Sequence, residues 1–295
     1  LFRSTVHTAG EYLGFLEHSR NNEEKVFYCS LLNPKNKSVA LMNKSDEKPR
    51  LDELMKLANS ERFKDTMYLA RFTLDGDLNK PEKYSSIRDY SIGIHASFKK
   101  NTPTSDFIFS NNLKDLAHEN LDPILGWAGE QVLSAYPHLR GYEEKALELS
   151  TLKTRLETAR DRVAIFLPDP VDKQAAKIAQ HRYDKCLKEL NALKTEGVER
   201  DLQEAKMALM MLFSAAMRDK IVTEKGIDYY NNTCKDAIDR GSAHALADLI
   251  FNCALNGTLQ ENRKYLRLIA SWPSFMAKTQ PILPKRAAWA QALSN

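Results

Sequence analysis

Ile227-Asp228-Tyr229-Tyr230, then Cys234-Lys235-Asp236-Ala237-Ile238-Asp239-Arg240-Gly241, then the apolar-periodic residues 242–255 follow one another in the last quarter of the 295-residue chain. The first segment follows Gly226 and is short, β-branched and aromatic, which predicts a buried strand. In the third, Leu246, Leu249, Ile250 and Cys253 share one helical face, and Asn256-Gly257 is a stop signal. The octapeptide between them is then a loop delivering the chain to a helix amino terminus. There the positive end of the helix dipole and the free N–H groups of the first turn favour an anion.

The loop's residue types point to phosphate chemistry. A phosphate monoester leaves most easily when donors hold its equatorial oxygens while a thiolate attacks in line with the leaving oxygen. Cys234 supplies the thiol and Arg240 a bidentate fork. The intervening backbone can curl into a nest of N–H groups, which also lowers the thiol pKa. Cys29, Cys186 and Cys253 have no arginine at that offset; they are followed there by Lys35, Ala192 and Leu259.

The pattern Cys-x-Asp-x-x-Asp-Arg resembles the catalytic loop of phosphoinositide phosphatases of the myotubularin and Sac types, and of secreted bacterial effectors acting on the same lipids. The resemblance covers about a dozen residues. Asp239 before the arginine and Thr233 before the cysteine depart from the glycine and histidine usual in protein tyrosine phosphatases. Gly241 departs from the Ser or Thr that these lipid phosphatases carry there, and Ser242 is the candidate substitute. The resemblance implies Cys234 as nucleophile, Arg240 as phosphoryl clamp and Asp236 as general acid. Lys235, Ala237, Ile238, Asp239 and Gly241 would line the substrate, with Lys235 drawing a neighbouring phosphate. The aspartate pattern is closest to myotubularins, which implies the inositol 3-phosphate; a Sac-like loop implies the 4-position. Neither metal nor cofactor is called for.

Plainer readings exist for each residue. Cys234 can be a small buried hydrophobe, Arg240 and Asp239 a surface ion pair, Asp236 a helix cap, and His244 a core histidine. Their joint occurrence favours the phosphatase. A protein tyrosine or dual-specificity phosphatase, a soluble inositol phosphate phosphatase, and a non-catalytic interaction protein built on a helical hairpin are the alternatives.

Composition narrows the setting. With 43 Lys and Arg against 39 Asp and Glu, the net charge of +4 is too balanced to argue for nucleic acid. Four cysteines at irregular spacing suit a reducing compartment, and the longest apolar stretch, residues 207–217, is too short to span a bilayer. The expected location is the cytosolic face of membranes, in peripheral contact with an anionic lipid surface; the effector resemblance adds delivery into a host cell. A chain opening on Leu1 is expected to have been trimmed. Lysines and arginines near Lys99 and Arg263 are candidate headgroup contacts.

Elsewhere, helices are predicted over residues 11–18 and 51–65. Strands are predicted over 25–32, 38–42, 66–74 and 90–98. Residues 78–88, rich in Lys and Ser, predict a mobile loop near the active site. From 112 to 218 the pattern is helical, with breaks at Asp122-Pro123, Tyr136-Pro137 and Pro168-Asp169-Pro170. Leu149, Leu152, Leu156, Ala159, Val163 and Phe166, and then Ala179, Tyr183, Leu187, Leu190 and Leu193, alternate steps that predict an antiparallel hairpin. Lys173, Lys177, His181, Lys185 and Lys188 give its second helix a basic stripe, read first as a solvated face. The expected fold is α+β and predominantly helical: a small sheet, a cysteine-phosphatase-like strand–loop–helix unit, and a hairpin insertion. Residues 1–141 and 198–295 form the expected catalytic core and 142–197 the insertion.

Overall fold

The computed structural model describes residues 10–33, 47–73, 77–100, 105–143, 196–233, 240–266 and a few isolated positions. The fold is mostly helical with a small four-stranded mixed sheet. In chain order the elements are α1 (Gly10–Asn21), β1 (Val26–Ser30), α2 (Glu47–Ala58), β2 (Met67–Phe72), α3 (Ile87–Lys100), β3 (Phe107–Phe109), α4 (Asn111–Ala135), α5 (Glu196–Lys225), β4 (Tyr229–Thr233) and α6 (Arg240–Leu255).

The strand order is β3-β2-β1-β4. β1 pairs parallel with both β2 and β4, while β3 runs antiparallel to β2. Alternation along the strands sends side chains to two cores. Phe27, Cys29, Tyr68, Ala70, Phe72, Phe107 and Phe109 pack with residues of α3, α4, α5 and α6. On the opposite face Val26, Tyr28, Met67, Leu69 and Ile108 pack with Tyr12 and Leu16 of α1 and Leu51, Leu54 and Ala58 of α2. Both faces are covered, which explains why β1 and β2 are apolar almost throughout.

Several local expectations are corrected. Residues 90–98, expected as a strand, lie within α3, where Ile87, Tyr90, Ile94 and Phe98 are buried. Those steps of three and four are the helical period, and they outweigh the β-branched and aromatic content. Pro123 sits inside α4 without breaking it; the helix does end at Tyr136, before Pro137. The predicted mobile loop is packed. It holds two short 3-10 turns, Asp77–Asn79 and Pro81–Lys83; Leu78 is buried, and the Tyr84 ring fills the space beside Gly93, where a Cβ would lie 2.5 Å from it. The buried Lys206 ammonium of α5 donates to the Pro81 and Tyr84 carbonyls, at 3.1 and 2.6 Å. β3 had no counterpart among the predicted strands.

The strand before the loop is β4, two residues later than expected and at the sheet edge rather than buried: Tyr229 is 42% and Tyr230 38% exposed. The helix after it is α6, with Leu246, Ile250 and Cys253 buried and Leu249 half-buried. Gly257 ends it with a positive φ of 67°. The expected strand at 38–42 and most of the hairpin at 142–197 lie outside the described residues. Within that span, Thr151, Thr154 and Thr158, and Lys177, His181, Asp184 and Lys185, are helical and exposed.

Candidate functional site at the carboxyl edge of the sheet

β1, β2 and β4 are parallel, so their carboxyl ends share one edge of the sheet. The helix after β1, α2, lies on one face, and the helix after β4, α6, lies on the other. The helices that follow the neighbouring strands β1 and β4 thus lie on opposite faces, the arrangement of a topological switch point. Open sheets with parallel strands bind ligands at such a switch point. The first residues of both helices, Glu47 of α2 and Arg240 of α6, meet beside Leu31, just past the end of β1.

Arg240, Glu47 and Leu31 meet at this end of the sheet. Arg240 is the first residue of α6 and Glu47 the first of α2. The Arg240 guanidinium donates from Nη1 to the Leu31 carbonyl at 2.6 Å and to Glu47 Oε2 at 3.2 Å, and from Nη2 to Glu47 Oε2 at 3.1 Å. The carboxylate also accepts the Asn33 N–H at 2.8 Å. Glu47 is 1% and Arg240 8% exposed. The Leu31 N–H donates to the Thr233 carbonyl at 2.7 Å, tying the end of β4 to the end of β1. Thr233 and Arg240 are thus both fixed on Leu31, the residue that follows β1. Gly241 fits this turn because a Cβ there would meet the Asn232 carbonyl at 3.3 Å, a close approach that disfavours the Ser or Thr expected at that position.

Comparison with protein-family models, with curated proteins and with solved structures finds no match to this chain. The site is therefore read from its own residues.

A second polar group ties α5 and α6 to β4. Arg218 is 1% exposed and donates from Nε to Asp248 at 2.9 Å. Asp248 also accepts from the Tyr230 hydroxyl at 2.8 Å and the Asn232 amide at 2.7 Å. Arg240, His244 and Asp248 recur at four-residue steps, so one stripe of α6 meets the edge of the sheet, and His244 is fully buried in it, as the core reading anticipates.

Cys29 lies in the same region, wholly buried in the middle of the sheet. Burial pushes its thiol up to about 12, with the nearby Arg218 acting in the opposite direction. It is no nucleophile at neutral pH. Its raised folded pKa favours the native state fully below the thiol's ordinary value of about 9, and that contribution is lost as pH rises toward about 12. In the folded protein at pH 8, iodoacetamide is expected to leave Cys29 unmodified and to reach it only after denaturation; peptide mass spectrometry checks this, and native labelling of Cys29 would contradict its burial.

Of the residues expected at the site, Arg240 and Gly241 are described and form the start of α6. Cys234, Lys235, Asp236, Ala237, Ile238 and Asp239 lie outside the described residues. Lys99 and Arg263, the outlying headgroup candidates, are exposed on helical surface. Sequence reasoning missed Glu47, the buried partner of Arg240. It also missed Arg71, a buried arginine at the carboxyl end of β2. A charged residue inside the otherwise apolar run Tyr68-Leu69-Ala70-Arg71-Phe72 was the available signal.

Proposed function

We propose that the chain is a cysteine-dependent phosphoinositide phosphatase that removes the 3-phosphate from the inositol ring. The observation that supports this reading is at the carboxyl ends of β1 and β4, where Arg240 begins α6 and is paired with Glu47 at the start of α2. That is where an anion is best stabilised by fixed N–H groups and dipoles.

In the reaction, the Cys234 thiolate attacks phosphorus in line and the bond from phosphorus to the inositol oxygen breaks. Asp236 gives its proton to that leaving oxygen. Water then attacks the cysteinyl phosphate, Asp236 takes a proton from it, and orthophosphate leaves while the thiolate is regenerated. Arg240 holds the equatorial oxygens, with Glu47 fixing its position, and Lys235 attracts a neighbouring phosphate. No described helix is long and apolar enough to cross a membrane, and the lipid is met by peripheral contact with an anionic surface. Residues 142–197 are read as a helical appendage to this unit.

Arg240→Lys keeps the charge but loses the planar fork. Its kcat is expected to fall on the order of a hundredfold, and an unchanged kcat would remove this arginine from the site. The reading as a whole is tested by incubating the chain with each purified phosphoinositide and identifying the products. Loss of the 3-phosphate is expected. Preferential hydrolysis of phosphatidylinositol 4-phosphate defeats the ring assignment, and hydrolysis of phosphotyrosine peptides alone defeats the lipid assignment.

A further inference from the structure

The sheet register sets Val26 beside Tyr229 and Tyr28 beside Asn231, and residues paired across a sheet share a face. On that face Tyr12 and Leu16 of α1 pack over β1, and α1 reaches the edge strand β4 through Phe15, whose ring meets that of Tyr229 edge-on at 5.3 Å. Between helix and sheet a cavity of about 380 Å³ is left open, and Tyr12, Phe15, Tyr28, Asp228, Tyr229 and Asn231 line it. That volume is in the range of small-ligand sites.

The wall of the cavity is aromatic. From Tyr28 to Tyr12, Phe15 and Tyr229, successive ring centroids lie 5.8, 6.3 and 5.3 Å apart. Tyr12 and Tyr28 are 1% exposed and Tyr229 is 42% exposed, so the wall runs from the interior to the surface. Electron-rich ring faces attract a cation lying within about 6 Å. The charge nearby has the matching sign. Glu24 accepts the Tyr229 hydroxyl at 3.2 Å; Glu24 first, by hydrogen bond and charge, then burial and the charge of Asp228, raise the Tyr229 pKa. Asp228 accepts the Lys25 N–H at 2.8 Å, while the Lys25 ammonium is held by the Lys225 carbonyl at the end of α5, also at 2.8 Å. The Asn231 Nδ2 is shielded from solvent and makes no hydrogen bond.

These surroundings repel an anion, and ring faces do not replace the water shell of a metal ion or the acceptors that a primary ammonium needs. A quaternary ammonium has no N–H to satisfy, and its charge is spread over apolar methyl groups. We propose that this cavity binds a quaternary ammonium group carrying an oxygen two carbons away, as in choline and its esters. The rings take the N-methyl groups, Glu24 and Asp228 complement the charge, and Asn231 donates to the oxygen. The proposal stands apart from the phosphatase reading and needs no turnover to test.

The full chain is titrated by calorimetry with choline and with 3,3-dimethylbutan-1-ol, which has the same shape with carbon in place of the charged nitrogen. Choline is expected to bind at least about tenfold more tightly than the neutral alcohol. Tyr229→Leu, a change at a partly exposed side chain, should lower choline affinity about tenfold and leave the alcohol within about twofold, whereas Tyr229→Phe keeps the ring and stays within about threefold of wild type. Sedimentation with phosphatidylcholine vesicles, against phosphatidylethanolamine vesicles whose headgroup is a primary ammonium, separates the sources. Tyr229-dependent preference for phosphatidylcholine assigns the occupant to a lipid headgroup, and choline binding without that preference assigns it to a soluble choline compound. Equal affinity for choline and the alcohol, choline binding unaffected by Tyr229→Leu, or binding of neither choline nor phosphatidylcholine vesicles overturns the proposal.

Discussion

Glu47→Ala is expected to destabilise the protein by about 3–5 kcal/mol, because it removes a counter-charge of the Arg240 guanidinium from a buried site. The carboxylate accepts from Nη1 and Nη2 of Arg240 and from the Asn33 N–H. Its removal therefore loosens three things at once: the start of α2, the chain leaving β1, and the first residue of α6. Glu47→Gln keeps the shape and an acceptor but removes the charge, so it should fall between wild type and Glu47→Ala. Urea unfolding followed by circular dichroism measures both. A loss below about 1 kcal/mol in Glu47→Ala would mean that the pair behaves like an exposed one. Because Glu47 acts through Arg240, the same variants should lower kcat more than they raise KM under conditions where they remain folded. An unaltered kcat in folded Glu47→Gln would limit the pair to holding the fold.

The parts of this fold legible in the sequence are those where one local signal dominates. β1 and β2 follow from short apolar and aromatic runs, and the end of α6 follows from Asn256-Gly257, where Gly257 takes a positive φ. Where two signals compete, the sequence misleads. Tyr90, Ile94 and Phe98 carry strand-type side chains at helical spacing, and burial against the sheet selects the helix. Pro123 lacks an N–H, yet Leu121, Leu125 and Ala128 on either side of it are buried in the core, and that packing carries α4 through the proline.

The site divides in the same way. The strand before Cys234 and the helix after Asp239 follow from local pattern, and Arg240 does start the helix. Its partner does not follow from local pattern: Glu47 is 193 positions away, at the start of a helix on the opposite face of the sheet. Only the strand order β2-β1-β4 brings the two together. The same order sets Arg71 in a row with Thr233. Gly241, a departure from the resembled loops when read as sequence, becomes a fit to the Asn232 carbonyl once β4 and α6 are seen together.

The central claim concerns one sulfur atom. Serine is close in size to cysteine, but its hydroxyl does not ionise near neutral pH, so Cys234→Ser should keep the fold and the bound substrate while losing the nucleophile. The measurement is orthophosphate released from phosphatidylinositol 3-phosphate and its bisphosphates by wild type and by Cys234→Ser, with Tm recorded for both. The account predicts turnover by the wild type, a fall of about a hundredfold or more in the variant, and nearly equal Tm values. Residual turnover above about a tenth of wild type in a folded Cys234→Ser protein would contradict thiolate catalysis at this loop.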